Sequence, residues 1–96
     1  MHEHSIASRT KPQNWIEGEI DDCRFQAKVF DDGSRFGIND GRVSKLMVWE
    51  TDLSPAGAII NYDRGWDVEP SEDWHQELLL ALLKYLEALP PRNMGG

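Results

Sequence analysis

Arg24-Phe25-Gln26-Ala27-Lys28-Val29 carries the cleanest periodicity in the chain, and the fold follows from it. Apolar Phe25, Ala27 and Val29 alternate with polar Arg24, Gln26 and Lys28. A period of two sends the first set to one face and the second to the other, as in an antiparallel strand with one dry and one wet side. Just upstream, Trp15-Ile16-Glu17-Gly18-Glu19-Ile20 alternates less strictly and runs into Asp21-Asp22, so the two runs read as a hairpin with a two-residue turn. Asp-Asp is weaker turn chemistry than Asn-Gly and leaves the register open by a residue.

Downstream, Asp31-Asp32-Gly33-Ser34 and Asn39-Asp40-Gly41 are turn signals, with Arg35-Phe36-Gly37-Ile38 expected as a short extended piece between them. Arg42 to Glu50 reads as a third long strand. Ser44, Leu46 and Val48 fall on one face, and Val43, Lys45, Met47 and Trp49 on the other. Both faces are partly apolar, so this strand is either central and covered twice, or its second face is a contact surface. Ser54-Pro55-Ala56-Gly57 turns the chain again, and Ala58-Ile59-Ile60-Asn61-Tyr62 is the fourth strand.

Pro70-Ser71-Glu72-Asp73 then announces a helix, with Ser71 as N-cap and two carboxylates at the positive end of the dipole. It runs to Ala88 or Leu89, where Pro90-Pro91 stops it. Trp74, Leu78, Leu79, Leu82, Leu83, Tyr85, Leu86 and Leu89 fill an arc of about 180°, wider than one sheet usually covers, and Leu80 lies outside it. Contact with a second copy through this helix, as a homodimer, is one use for the surplus width. The expected fold class is α+β: a four-stranded antiparallel β-meander with one C-terminal amphipathic helix packed on one face. Residues 1–13 read as a flexible polar arm, 14–89 as a single domain and 90–96 as a flexible tail ending in Gly95-Gly96.

With 96 residues, 40% of them hydrophobic, the chain is sized for one domain with a modest core. Its longest apolar run, Leu78 to Leu83, is far too short to span a membrane. The first dozen residues carry His2, Glu3, His4, Arg9 and Lys11 rather than an apolar block, so no secretory leader is expected. A single cysteine, Cys23, agrees with a reducing, cytoplasmic setting. The net charge of -7 is lopsided: residues 1–49 hold seven cations against eight carboxylates, whereas residues 50–96 hold three against nine. An acidic field repels phosphates, which argues against direct nucleic-acid binding; the charge either simply keeps the protein soluble or complements a partner protein with a basic surface.

Little in the chain resembles a catalytic kit. Cys23 has no neighbouring histidine and reads as a packed thiol. His75 falls on the apolar side of the helix and reads as a packed imidazole with one backbone hydrogen bond. The acid pairs Asp21-Asp22, Asp31-Asp32 and Glu72-Asp73 are explained by turns and a helix start. The run from Asp31 to Arg42 misses the calcium-loop pattern, with glycine at the third place and arginine where the bidentate glutamate belongs. No phosphate-binding loop, dinucleotide fingerprint or nucleophile elbow occurs. No catalytic residue, metal ligand or cofactor is assigned, and the chain is read as a non-enzyme.

Tyr62-Asp63-Arg64-Gly65-Trp66-Asp67 stands apart from this background. As a turn, Gly65 would take a positive φ, Trp66 would cover the end of the core, and Arg64 would be tied to Asp63 or Asp67. As a contact patch, tyrosine, arginine and tryptophan are the residue types that dominate binding hot spots. The expected partner-binding set is Tyr62, Arg64, Trp66, Asp67 and Glu69, with Glu50 and Asp52 from the same acidic band. The alternative is a small anionic ligand or nucleotide held by Arg64 with Arg42 and Lys45.

Together, Trp15-Ile16, Gly18, Ile20, Phe25, Ala27-Lys28-Val29-Phe30-Asp31, Ser34, Phe36-Gly37-Ile38, Gly41-Arg42-Val43-Ser44-Lys45-Leu46 and Tyr62-Asp63-Arg64-Gly65-Trp66-Asp67 resemble a small uncharacterised protein family of bacteria, prophages and phages. The resemblance covers about Asn14 to Leu89. It implies a compact sheet-plus-helix fold and carries over no functional residue. With the acidic band and the missing catalytic kit, it also implies a phage or mobile-element accessory protein. Such a protein would bind and inhibit a host protein, for example a CRISPR or other defence effector.

Overall fold

The computed structural model describes residues 4–91, in which six strands precede one helix. They are β1 (Ile6–Thr10), β2 (Trp15–Ile20), β3 (Cys23–Val29), β4 (Val43–Glu50), β5 (Ile60–Asp63) and β6 (Trp66–Val68), followed by α1 (Asp73–Glu87). All six pair antiparallel in sequence order, making one open meander. The fold is α+β as expected, but the sheet has six strands rather than four. The extra pair are its edges. β1 comes from the stretch read as an arm, and β6 from the Tyr62–Asp67 motif. Residues 1–3 of the expected arm and 92–96 of the expected tail, with Gly95-Gly96, lie outside the described residues.

The alternation in β3 is realised as read: Cys23, Phe25, Ala27 and Val29 are buried, and Arg24 and Gln26 are exposed. Opposite them on β2, Ile16, Gly18 and Ile20 point to the same dry face. Asp21-Asp22 closes the hairpin with Ile20 paired to Cys23, and Asp21 takes the left-handed φ of 52° that an aspartate tolerates. A Cβ on Gly18 would collide with the carbonyl of Ala7, so β1 can lie against β2 only because that residue is glycine.

β4 departs from strict alternation. The register slips at Lys28/Val29, so Val29 pairs with Val43 while Lys28 pairs with Lys45. This bulge buries Val43 on the core side with Leu46 and Val48, where alternation alone puts it opposite them. The other face of β4 carries half-buried Lys45 and Met47 and buried Trp49, although no helix or strand layer lies over that face among the described residues.

α1 lies across the dry face and closes the core. Leu78, Leu82 and Leu86 are buried at helical spacing against Phe25, Leu46, Val48 and Ile60. Leu79, Leu83, Tyr85 and Leu89 flank them half-buried, whereas Trp74 is 41% exposed and Leu80 67%. The helix starts at Asp73 with Glu72 as cap, not Ser71, and the Glu72 side chain makes no capping hydrogen bond. Its other end is held by Arg42. The Arg42 guanidinium donates to the carbonyls of Glu87 (2.8 Å), Leu89 (2.7 Å) and Phe30 (2.7 Å), and its backbone N–H to Glu87 Oε2 (2.7 Å). A cation on the last carbonyls of a helix satisfies orphan acceptors and complements the dipole. Arg42 is therefore a structural clamp rather than a free anion contact. The hydroxyls of Ser8 and Tyr85 share a hydrogen bond of 2.6 Å that ties β1 to the helix.

Candidate functional site

Tyr62 to Asp67 forms the β5–β6 hairpin at the sheet edge. Its turn is built differently from expectation. The positive φ, 58°, falls on Arg64, and no glycine among the described residues has a positive φ. Arg64 is held there by its N–H, which donates to the carbonyl of Ser44 (2.9 Å), while Asp63 N–H donates to the carbonyl of Gly65 (2.8 Å). The Arg64 side chain is turned to an aromatic ring instead of to Asp63 or Asp67. Its guanidinium carbon stands 4.8 Å from the centroid of Phe36, and Asp63 faces Lys45 at 3.6 Å.

The aromatics of the motif divide their roles. Tyr62 is buried and donates its phenolic O–H to the Phe36 carbonyl (2.8 Å), locking the loop between β3 and β4 onto the sheet. Trp66 meets Tyr62 edge to face at a centroid distance of 5.0 Å and stays 37% exposed. The loop itself is no extended piece. Ser34 N–H donates to the Gly41 carbonyl and Gly37 N–H to the Ser34 carbonyl, and a short 3-10 turn over Ile38–Asp40 drops Ile38 into the core. A Cβ on Gly37 would strike the Gly41 carbonyl, so the loop closes only with glycine there.

That folding builds a cleft of about 330 Å³ lined by Lys28, Phe30, Ser34, Phe36, Ser44, Lys45 and Arg64. Phe30 and Phe36 are each 39% exposed. Arg35 lies over the Phe36 ring as well, at 5.0 Å, and Lys28 Nζ is 5.7 Å from the centroids of both Phe30 and Trp15. Lys28 and Lys45 are direct cross-strand neighbours, an arrangement of like charges that weakens a sheet unless something answers it. Beside the cleft on the uncovered face, Trp15, Gln26, Lys45, Met47 and Asn61 line a further recess.

The acidic residues gather elsewhere. Glu50 pairs with Cys23 at the far end of β4, five residues from Lys45, and Asp52 follows it in the next turn. Burial pushes the Cys23 thiol above its ordinary pKa, and the negative charges of Glu50, Asp21 and Asp22 add to the effect. Asp21 is held below the usual carboxylate range by hydrogen bonds from His4 Nδ1 (2.6 Å) and the Ser5 N–H (2.9 Å). The expected contact set is thus split. Tyr62, Arg64 and Trp66 meet at the β5–β6 hairpin, with Asp67 and Glu69 exposed along and after β6, while Glu50 and Asp52 stand at the opposite end of the sheet.

Lys28, Phe30, Ser34 and Phe36 are cleft residues that sequence reasoning misses. Lys28 belongs to an alternation that explains its polarity, and the others sit in a loop whose closure depends on Gly37 and Tyr62. His75 is buried as expected, but its Nδ1 has no hydrogen-bond partner, and the ring meets Trp74 edge to face at 4.3 Å. Among the described residues, no three His, Cys, Asp or Glu side chains form a metal-holding group, and no helix is long and apolar enough to cross a membrane.

Neither a curated protein nor a solved structure matches the chain. A family model does match, over residues 14–87, a span that takes in β2 to α1 and leaves β1 outside. On that match the chain belongs to the family described as a domain of unknown function, DUF7678.

Proposed function

We propose that this domain is a non-enzymatic protein-interaction module that engages a basic surface on another protein through its acidic end. The observation that carries the reading is the strand register, which sets exposed Glu50 opposite Cys23 and next to the exposed Asp21-Asp22 turn. Asp52 sits in the adjoining turn, and Glu69, Glu72 and Asp73 come next in the chain where it leaves β6 for α1. Clustered carboxylates at a rim raise association rates with a basic partner and make binding fall with salt. Leu53, 55% exposed beside Asp52, and Val68, 39% exposed where β6 runs out toward Glu69, supply the apolar part of such a contact.

The non-enzymatic part rests on where proton affinities are displaced. Burial pushes the Cys23 thiol up, the reverse of what an activated nucleophile needs, and Asp21 is held down by hydrogen bonds in an exposed turn. The biological setting we infer is a phage or mobile-element accessory protein working in a cytoplasm. There it would occupy the basic groove of a host nucleic-acid-handling protein, such as a defence effector. The test is a tagged pull-down from host lysate, with the Glu50→Lys, Asp52→Lys double variant as parallel bait. A stoichiometric, salt-sensitive partner lost in the variant is the expected result. A partner retained equally by the charge-reversed bait, or no partner at all, overturns the reading.

A further inference from the structure

The cleft at the other end of the sheet has the opposite character. Lys28, Lys45 and Arg64 bring three cations to its wall, and Arg35 adds a fourth beside Phe36. Asp63 answers one of them, and only at 3.6 Å, beyond a good hydrogen bond, so the Lys45 ammonium keeps donors for a ligand. Lys28 and Lys45 face each other across neighbouring strands with no carboxylate between them in the register. The Ser34 hydroxyl oxygen accepts the Phe36 N–H (3.2 Å), which leaves its own proton available to point outward.

Two features say that the ligand is more than a bare anion. Phe30 and Phe36 line the same cleft, each more than a third exposed although large and apolar. Arg64 and Arg35 lie against the Phe36 ring, and a guanidinium plane on an aromatic ring offers its outer face to a flat base. Arg64 also occupies a left-handed backbone position that is strained for an arginine and open to a glycine. Asparagine or aspartate fills most of the other positive-φ positions of the chain, as local chemistry favours. A strained position that carries a long cation over an aromatic cleft is where function is expected to hold a residue in place.

We propose that this cleft binds a nucleotide unit, an aromatic base on the Arg64–Phe36 stack with its phosphate between Lys28 and Lys45. The whole-chain charge of -7 argues against any phosphate ligand, but it is an average over both ends, and over a distance beyond about 10 Å salt screens one end from the other. The cleft opens beside the uncovered sheet face with Trp15, so the unit can belong to a free nucleotide or to a single strand running across the face.

The test uses fluorescence anisotropy with labelled oligouridine and oligothymidine of about ten nucleotides, and amide shift titration with AMP. Arg64→Gly is the main variant, because glycine suits the backbone there and folding is retained. A Lys28→Ala, Lys45→Ala double variant is the second, and the Glu50→Lys, Asp52→Lys variant is the remote control. The proposal expects binding by the oligonucleotides, by AMP, or by both. Oligonucleotide binding weakens about tenfold between about 50 and 200 mM salt, as two or three phosphate contacts to a single strand require. Arg64→Gly and the lysine double variant lose binding at least about tenfold, the lower end for one charged hydrogen bond, and the remote variant keeps it. Oligonucleotide binding without AMP binding identifies a single strand as the source, and AMP alone a free nucleotide. No binding by any probe, binding that both cleft variants retain, or displacement by polyglutamate as effective as by AMP overturns the proposal. Because the two ends carry separate variants, loss here leaves the reading of the acidic end untouched.

Discussion

The two ends of this sheet are held by the same strands and carry opposite chemistry. At one end, Asp21, Asp22 and Glu50 stand exposed at a tight turn and a strand end beside buried Cys23, and their backbone is ordinary apart from Asp21. At the other, the connection from 30 to 42 is folded onto the sheet by Tyr62, Gly37 and Arg42, and it presents aromatic rings and cations. The acidic end needs only strand pairing to exist, because its residues are neighbours in the register. The cationic end needs tertiary contacts from β5, from the helix terminus and from the loop itself. Damage should therefore separate them: core lesions remove both, and loop lesions remove one.

The strongest response should come where both ends lean on one side chain. Leu82 is fully buried at the middle of the helix, and Leu82→Ala should cost about 3 kcal/mol of unfolding free energy. Urea denaturation reads this directly, and a loss below about 1 kcal/mol would mean that the helix is not the common support. Gly37→Ala comes next. Its methyl meets the Gly41 carbonyl, so about 1–3 kcal/mol is expected. Amide shift changes should be confined to the 30–42 loop and the β5–β6 hairpin, and changes spreading to Cys23 and Glu50 would deny that the ends are separable. Tyr62→Phe removes the bond to the Phe36 carbonyl and leaves that acceptor short of a partner, at about 1 kcal/mol. It should loosen hydrogen-exchange protection in the loop and leave the hairpin at Asp21-Asp22 protected.

The acidic end has its own signature in pH. The Cys23 thiol is pushed above an ordinary value of 9.0, so the folded chain keeps its proton where the unfolded chain loses it. The associated stability is fully present below that value and is lost as pH rises through the folded pKa. Cys23→Ala should flatten this alkaline limb, and an unchanged limb would refute the burial argument. Smallest is Arg64→Gly, which relieves the positive φ and should raise stability by about 0.5–1 kcal/mol. Thermal melts of the variant check it, and a lower midpoint would show that the Phe36 stack outweighs the strain.

Strands β2 to β5 and the helix are legible in the sequence because alternation and helical spacing are written in side-chain polarity. The edges are not. β1 offers one large apolar residue, Ile6, in five, and β6 is three exposed residues long, too short for any period to register. Alternation puts Val43 on the wrong face because a bulge shifts register without changing composition. Residue type points to Ser71 as the helix cap, but the chain enters the helix one residue later. Of the candidate site, Arg64, Tyr62 and Trp66 draw notice for their composition, whereas Lys28, Ser34 and Phe36 carry no local signal.

The order of amino acids is enough to specify the α+β class, the dry face of the sheet, the span of the helix to within a turn, and the crowding of carboxylates from Glu50 onward. These depend on periodicity and on charge, which are sums over neighbours in the chain. Which cations share a wall is set only once the chain is packed. Lys28, Lys45 and Arg64 come from three separate segments, and their meeting depends on strand register, a bulge and a loop closed over glycine. Register and loop closure are fixed by contacts between distant residues, and no local pattern records them.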